Sequence, residues 1–566
     1  MTNAQSRPDY EGTYGWRTSI QKEVKRVETF GAWKITSSKE LHAARKHYPG
    51  QVSVGHIVMA FRVKTDADGA LKGDGVTKKS RIAFADEVGQ SNAYVDTYSG
   101  CADDITDRVV TAIGQRMGAE QDTCDVGGAY FHGTPTHPDE GGRYVFAEIP
   151  RYMSMYGEYP THDHQGRKNY LRITGNMPGR KDAGAIWAKR YDAFLKKIGM
   201  RQSVVDRRLF VIKSEEGTLF AHIHVDDTRL TFDDRRMRAW FLKLWSIEFG
   251  EPPSKPDLDE DFVGVKRTVT GPGTVELSCL GVIKSMHELI KPYPLNKGVT
   301  DEWPMSPNAT RELREEPSEK NPLVPLLIPI ARRICGTIGF VVTHTRPDAY
   351  FAFCVMAKYM GARLTKRAFA HLLRLAWYLV RTQDMPLVIH STPEGGTVWN
   401  KDGMCSAWVD SSHGNAENGA SYGGFVIMNN GGGALAWKCK AHEISTDSPG
   451  AQELVMATSC YKYIVALRML LLDMDIKGEP MGPTPMFTDS QILLDGTNCE
   501  KLAKASRWLC TRYAMIRHGT ACGVVQPTKI PAAENIADIM TKALIGATFN
   551  HHRAIILGHA HWMSKE

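Results

Sequence analysis

The sequence has no Cys-x-x-Cys pair, and its 11 cysteines are scattered and odd in number. That argues against a disulfide framework or a zinc module and for a reducing compartment. No stretch of about 18 apolar residues occurs, so no membrane span is expected. The best apolar run, "YIVALRMLLLDM", is interrupted by Arg468 and reads as a buried helix. The polar start, "MTNAQSRPDYEGTYGW", lacks a signal-peptide core. There is no internal repeat and no long low-complexity tract. The "GGG" at 431–433 is not followed by Gly-Lys-Ser/Thr and reads as a hairpin turn, not a phosphate loop. A large excess of charge of one sign is lacking too, with 70 basic against 63 acidic residues. A net +7 over 566 residues permits a polyanionic partner without demanding one.

What is present is the composition of a globular protein, 42% hydrophobic and 23% charged, at a length that implies several domains. The Pro- and charge-rich segment 291–322 marks one boundary, and 391–403 a second. In "AIWAKRYDAFLKKIG", Trp187, Tyr191, Phe194, Leu195 and Ile198 share one helical face, and Gly199 supplies the stop. "RRLFVIK" and "TLFAHIHV" predict a hairpin closed by Glu-Glu-Gly, with Asp226-Asp227 at its far end. "RRICGTIGFVV" and "AYFAFCVMAKYM" predict two helices around a Pro-containing turn. Toward the carboxy terminus, "MCSAWVDSS", "SYGGFVIMNNGGGALAWK", a helix from about Glu453 to Asp473 and "TPMFTDS" make an α/β pattern.

Carboxylates punctuate these elements. Asp125 ends a strand-like run in "QDTCDVGGAYFHG", and Asp226-Asp227 ends the hairpin. Such an acid plus an adjacent pair could hold two hard cations, which would relieve the repulsion between neighbouring carboxylates. The same pair could also be a solvated turn. Asp233-Asp234, followed by Arg235-Arg236, reads as the acidic start of a helix.

"DVGGAYFHG" followed by "HVDD" resembles the two acidic motifs of reverse transcriptases. The order of "KKSRIAFAD", "GRKDAGAIWAKRYDAFLKKIGM" and "RRICGTIGFVVTHTRPDAYFAF" is similar to that of copia-type LTR retrotransposon polyproteins, from about residue 16 onward. The resemblance implies a right-hand polymerase, with an extension over 1–50, fingers and palm over 51–290, and a linker with thumb or connection over 291–395. It implies that Asp125, Asp226 and Asp227 hold metal for nucleotidyl transfer, that Lys79 and Arg81 contact the incoming nucleotide, and that Tyr130 gates against a 2′-hydroxyl. The chain departs from the family pattern at His224, where the family has Tyr, at Asp182, where it has Gln, and at Gly184, where it has Pro. A carboxylate at 182 would repel a triphosphate unless paired or turned away.

Over 396–566, Asp410, Glu453, Asp489 and Asp538 follow in an order that resembles ribonuclease H, with "TDSQ" and "ADIMTKAL" similar to its copia-type motifs. Before Glu453, "SPGAQEL" loses the first Glu of the family motif but keeps the second. The resemblance implies four acids around two Mg²⁺ ions, with Mn²⁺ as a substitute, and recognition of hybrid shape and 2′-hydroxyls. It implies an RNA template, a DNA primer, an RNA–DNA hybrid and dNTPs as partners. It also implies an intracellular setting, cytoplasmic in virus-like particles or nuclear. No nucleocapsid knuckle or integrase region is recognisable, so a fragment, a processed piece or a truncated gene is expected. The alternative is a domesticated or degenerate copy that binds nucleic acid without polymerase activity or retains ribonuclease H alone.

Two further patterns stand apart. "HHRAIILGHAHW" carries four histidines and reads as a surface helix and tail. In "KLAKASRWLCTRYAMIRHG", Lys501, Lys504, Arg507, Arg512 and Arg517 with Trp508 and Tyr513 either track a phosphate backbone or form an ordinary amphipathic helix.

Overall fold

In the computed structural model the described residues are 16–63, 78–85, 99–150, 153, 157, 159–250, 259–296, 300–315, 323, 325–361, 364–391, 404–412, 421–442, 449–474, 482–498 and 509–562. Among them the strands form four sheets, flanked by helices, in the α/β class expected. The first sheet runs Trp33–Ser37, Asn169–Ile173, Tyr144–Glu148, Val52–Val63, Lys78–Ala85. Trp33–Ser37 pairs along its whole length with Asn169–Ile173, so the stretch expected as an N-terminal extension does not stand apart from the first domain. The helix Arg17–Thr29 joins the same layer. Ile20, Val24 and Val27, at helical spacing, are buried in one cluster with Ile82 and Phe84.

The second sheet runs Glu120–Asp125, Asp227–Phe232, Gly217–His224, Leu209–Ser214, Arg201–Gln202, all antiparallel. The predicted hairpin is present, turning at Glu215-Glu216. The predicted helix spans Ala183–Lys197 and buries Trp187, Tyr191, Phe194 and Leu195, with Gly199 beyond its end at φ +91. Asp234 caps the helix Arg235–Phe249 by accepting from the Arg236 N–H, and the Asp233 carboxylate accepts from the Thr218 N–H at 2.6 Å. The second Asp-Asp pair is therefore structural.

A third sheet, Asp259–Phe262, Val265–Gly271, Thr274–Ser278, Leu387–His390, brings a late strand back to an early hairpin. The helices Ile328–His344 and Tyr350–Ala357 flank the expected Pro-containing turn. Inside that turn the buried Arg346 pairs with the buried Asp348 at 2.7 Å. The fourth sheet runs Ala434–Ala441, Tyr422–Asn429, Cys405–Ser411, Thr484–Thr488, Val525–Lys529. Its first three strands are antiparallel and its last two pairings parallel. The helix Pro449–Asp473 packs across it through Leu454, Ala457, Cys460 and Ile464.

Two helices, Pro325–His344 and Pro449–Asp473, reach membrane-spanning length and apolarity, although no membrane span is expected from the apolar runs. Both contribute buried residues to the largest core cluster, which runs from Val109 to Leu557 and joins the second, third and fourth sheets. The histidine-rich end does form a helix, and His551 and His559 are exposed, but the helix is also anchored in the core. In the helix Gly546–Ile556, Phe549, His552 and Ile555 are buried, and the imidazoles of His559 and His561 lie 2.8 and 3.0 Å from the carbonyls of Pro386 and Asn430. Of the basic helix, Lys501, Lys504, Arg507 and Trp508 lie outside the described residues, while Tyr513 is buried in the helix Cys510–Ala521.

Candidate active site

The chain presents two carboxylate sites on two different sheets. In the second sheet, Asp125 ends one strand and Asp227 begins its neighbour, and the two are direct register partners. Cross-strand partners stand about 4.5–5.5 Å apart at Cβ, so two like charges meet on one face. Asp226 lies in the two-residue turn before Asp227, and its carbonyl accepts from the Val126 N–H at 3.2 Å. The other turn residue, Val225, has φ +59, which a β-branched side chain rarely adopts. The Trp187 indole N–H donates to the Val225 carbonyl at 2.6 Å. Strain of this kind persists where surrounding contacts over-determine it.

Burial, then the charge of Asp226, pushes the Asp125 carboxyl above the usual carboxylate range, while Lys79, Arg81 and Arg26 pull it back. Lys79 and Arg81, on the strand Lys78–Ala85, therefore share the electrostatic surroundings of Asp125. Tyr130 is half-buried in the short helix Ala129–His132, and burial followed by the charge of Asp226 raises its hydroxyl. Arg26 was not singled out from sequence. It comes from a helix far upstream, and no local pattern links it to Asp125.

The two departures have different fates. Asp182 is buried and paired, accepting from Arg180 at 3.0 and 2.9 Å and lying 3.6 Å from Arg143. Burial raises its carboxyl, but Arg180 and then Arg143 outweigh that and leave it below the usual range. Its charge is thus compensated. His224, paired in register with Asp227, keeps a buried Nδ1 without a hydrogen-bond partner among the described residues.

The second site is tighter. Asp410 on Cys405–Ser411, Glu453 in Pro449–Asp473 and Asp489 just past Thr484–Thr488 offer oxygens that all lie within 4.8 Å of one another. Among the described residues this is the group that reaches such spacing; Asp125, Asp226 and Asp227 do not. Glu453 sits in the second turn of its helix instead of opening it, and Asp538 lies in the 3₁₀ helix Ile536–Met540, well before the final helix. Asp538 meets the site through Lys542, whose ammonium lies 2.7 Å from Asp538 and 3.4 Å from Asp410. Thr541 donates its hydroxyl to Asp410, and the Asn535 amide donates to Asp489 at 3.1 Å.

Burial, then Asp410 and Asp489, pushes Glu453 up to about 9, against the pull of Lys542. Burial, then Asp410, pushes Asp538 up to about 7. The Glu453 Oε2 atom is buried and has no hydrogen-bond partner among the described residues. An orphaned buried oxygen beside two more carboxylates fits a hard divalent cation, which would supply the missing positive charge.

No family model matches the chain. It is 19% identical over 532 residues to the "Retrovirus-related Pol polyprotein from transposon TNT 1-94" of Nicotiana tabacum, covering 93% of this chain and 36% of that protein. To the corresponding polyprotein from transposon RE1 of Arabidopsis thaliana it is 22% identical over 544 residues, covering 95% of this chain and 33% of that protein. The chain thus spans about a third of the length of these curated relatives. Among solved structures it is similar to a foamy viral protease-reverse transcriptase in complex with dsDNA, at TM-score 0.44 and 11% identity, over 91% of this chain and 83% of that one. A second similarity, to the N-terminal RNase H domain of rv2228c from Mycobacterium tuberculosis, covers 24% of this chain and 89% of that one at TM-score 0.19 and 15% identity. The likeness drawn from the motifs thus extends over nearly the whole chain to the Pol polyproteins of transposons.

Proposed function

From this likeness to transposon Pol polyproteins, we propose that the chain is an RNA-directed DNA polymerase with ribonuclease H activity that copies the transcript of an LTR element. The observation that carries the proposal is the presence in one chain of two carboxylate sites on separate sheets, Asp125 facing Asp227 in register and Asp410, Glu453 and Asp489 within 4.8 Å.

Asp125, Asp226 and Asp227 would hold Mg²⁺ or Mn²⁺ at the first site, and Asp410, Glu453, Asp489 and Asp538 at the second. Such ions supply, when bound, activation of the attacking oxygen and neutralisation of the leaving one. The rest falls to the chain. Lys79 and Arg81, whose charges reach Asp125, meet the triphosphate of a dNTP. The Tyr130 ring, near Asp226, occupies the volume a 2′-hydroxyl would need. At the second site Thr541 and Asn535 orient Asp410 and Asp489 through hydrogen bonds, and an RNA–DNA hybrid is the substrate.

Primer extension on an RNA template with Mg²⁺ tests the polymerase half. Wild-type protein should extend the primer and Asp226→Asn should not; equal product from both would overturn it. A narrower reading, ribonuclease H alone, is favoured by the tighter spacing of the second cluster. It predicts hybrid cleavage, lost in Asp410→Asn, with no primer extension by either protein.

A further inference from the structure

We propose that Arg26 is a third cation for the phosphate tail of the incoming nucleotide, reaching the polymerase site from the amino-terminal helix. The proposal deepens the polymerase reading and rests on it. Arg26 lies in the last turn of Arg17–Thr29. Its guanidinium lies against the backbone just beyond Asp125. A Cβ built on Gly128 would come 2.8 Å from Nη2, 3.1 Å from Nε and 3.2 Å from Cζ, and one on Gly127 would come 3.8 Å from Nη2. Gly128 also needs its φ of +78. A side chain at 128 would therefore force the guanidinium off the loop that joins Asp125 to Tyr130.

The placement has the chemistry of an anion site. The charge of Arg26 acts on Asp125 together with those of Lys79 and Arg81. Its contact with a carboxylate is loose, 3.8 Å from Nη1 to Glu23, and 29% of the side chain remains exposed. The Gly127–Gly128 backbone lies directly against the guanidinium. A guanidinium with a loose carboxylate contact and part of its surface open can donate to phosphate oxygens. Arg26 touches the loop between Asp125 and Tyr130, the two residues placed at the reacting end of the incoming nucleotide. That favours a compact triphosphate or pyrophosphate over the backbone of a nucleic acid.

Single-nucleotide extension with dTTP on an oligo(dT)-primed poly(rA) template tests it. Arg26→Gln should raise KM for dTTP about tenfold, the size of one charge-assisted hydrogen bond. Neither kcat nor primer–template affinity should change by more than about twofold, and Arg26→Lys should recover most of the loss, because the charge is kept. Unchanged KM, or weakened primer–template binding in its place, would overturn the assignment. Calorimetry with Mg²⁺ pyrophosphate reads the same contact without turnover, and Arg26→Gln should weaken binding by a similar factor. If wild-type protein makes no DNA, the polymerase reading fails, and equal pyrophosphate binding by wild type and Arg26→Gln then overturns the Arg26 assignment separately.

Discussion

The indole of Trp187 holds the carbonyl of Val225, the residue that turns the chain into Asp226 and Asp227. Trp187 is itself locked by stacking on Tyr191, with centroids 5.1 Å apart, and the Tyr191 hydroxyl lies 2.7 Å from that of Thr228 on the strand that Asp227 begins. A helix thus fixes both sides of a strained turn.

Replacing Trp187 with Phe removes the N–H and leaves the Val225 carbonyl without that donor, at about 1 kcal/mol. Primer extension by Trp187→Phe should fall at least several-fold while hybrid cleavage stays near the wild-type rate. An equal fall in both activities would show a general loss of folding instead.

Asp182 stands where the family resemblance implies Gln, so restoring Gln invites the expectation of a better enzyme. The geometry predicts the opposite. Arg180 and Arg143 are each 4% exposed, and Asp182 is the carboxylate between them. Removing one partner of a buried pair costs about 3–5 kcal/mol, because the other charge stays buried. Asp182→Gln should lower the melting temperature clearly in thermal denaturation. An unchanged melting temperature would refute the compensating role.

Lys542 competes for the carboxylates a divalent cation would use. Lys542→Met removes its positive charge from Asp410 and Asp538 and keeps much of the side-chain volume. Calorimetric titration should find Mg²⁺ binding tighter by roughly three- to tenfold, since a neighbouring cation opposes a second one. Equal or weaker binding would mean that the lysine organises the site instead.

A buried network behind the hairpin sets a pH dependence of stability. The His222 ring lies 3.7 Å from Asp107 and 3.2 Å from Asp206; Arg229 and Arg267 also pair with Asp107, while burial, and to a lesser extent the charge of His222, holds the nearby His224 below the ordinary imidazole value. Burial lowers His222, but Asp107 and Asp206 outweigh it and hold its folded pKa above the ordinary value. Its contribution is therefore full below the unfolded value of about 6.5 and lost as pH rises through the folded one. Burial likewise raises Asp107 and Asp206, yet their partners leave both low, so their contribution is present above about 4 and lost in acid. The deficit in melting temperature of His222→Gln should be greatest near pH 5–6 and shrink on going alkaline. A deficit that is flat with pH would rule out a charged His222.

How much of this was legible in the sequence depended on the reach of each interaction. The hairpin, the helix Ala183–Lys197 and the Asp234 cap follow from periodicity and turn chemistry within a few residues, and they appear as the pattern predicted. The order of acids at 410, 453 and 489 anticipated a cluster that tertiary packing then brought within 4.8 Å. Arg26 has no local signal because its helix packs on the first sheet, while Gly127 and Gly128 follow a strand of the second. The burial of His552 is likewise not visible in its own stretch of sequence. Its helix is covered by elements from elsewhere in the chain.

The core that runs unbroken from Val109 to Leu557 bears on inheritance as much as on stability. Arg108 reaches across it, donating to the Leu435 carbonyl at 2.7 Å and lying 4.1 Å from the Trp437 ring, while the Val388 N–H donates to the Leu557 carbonyl at 2.8 Å. A break near residue 396 would expose that apolar seam on both halves. The sheets that carry the two carboxylate sites therefore share one apolar seam. A gene that loses its last third loses part of the scaffold on which its first third is folded.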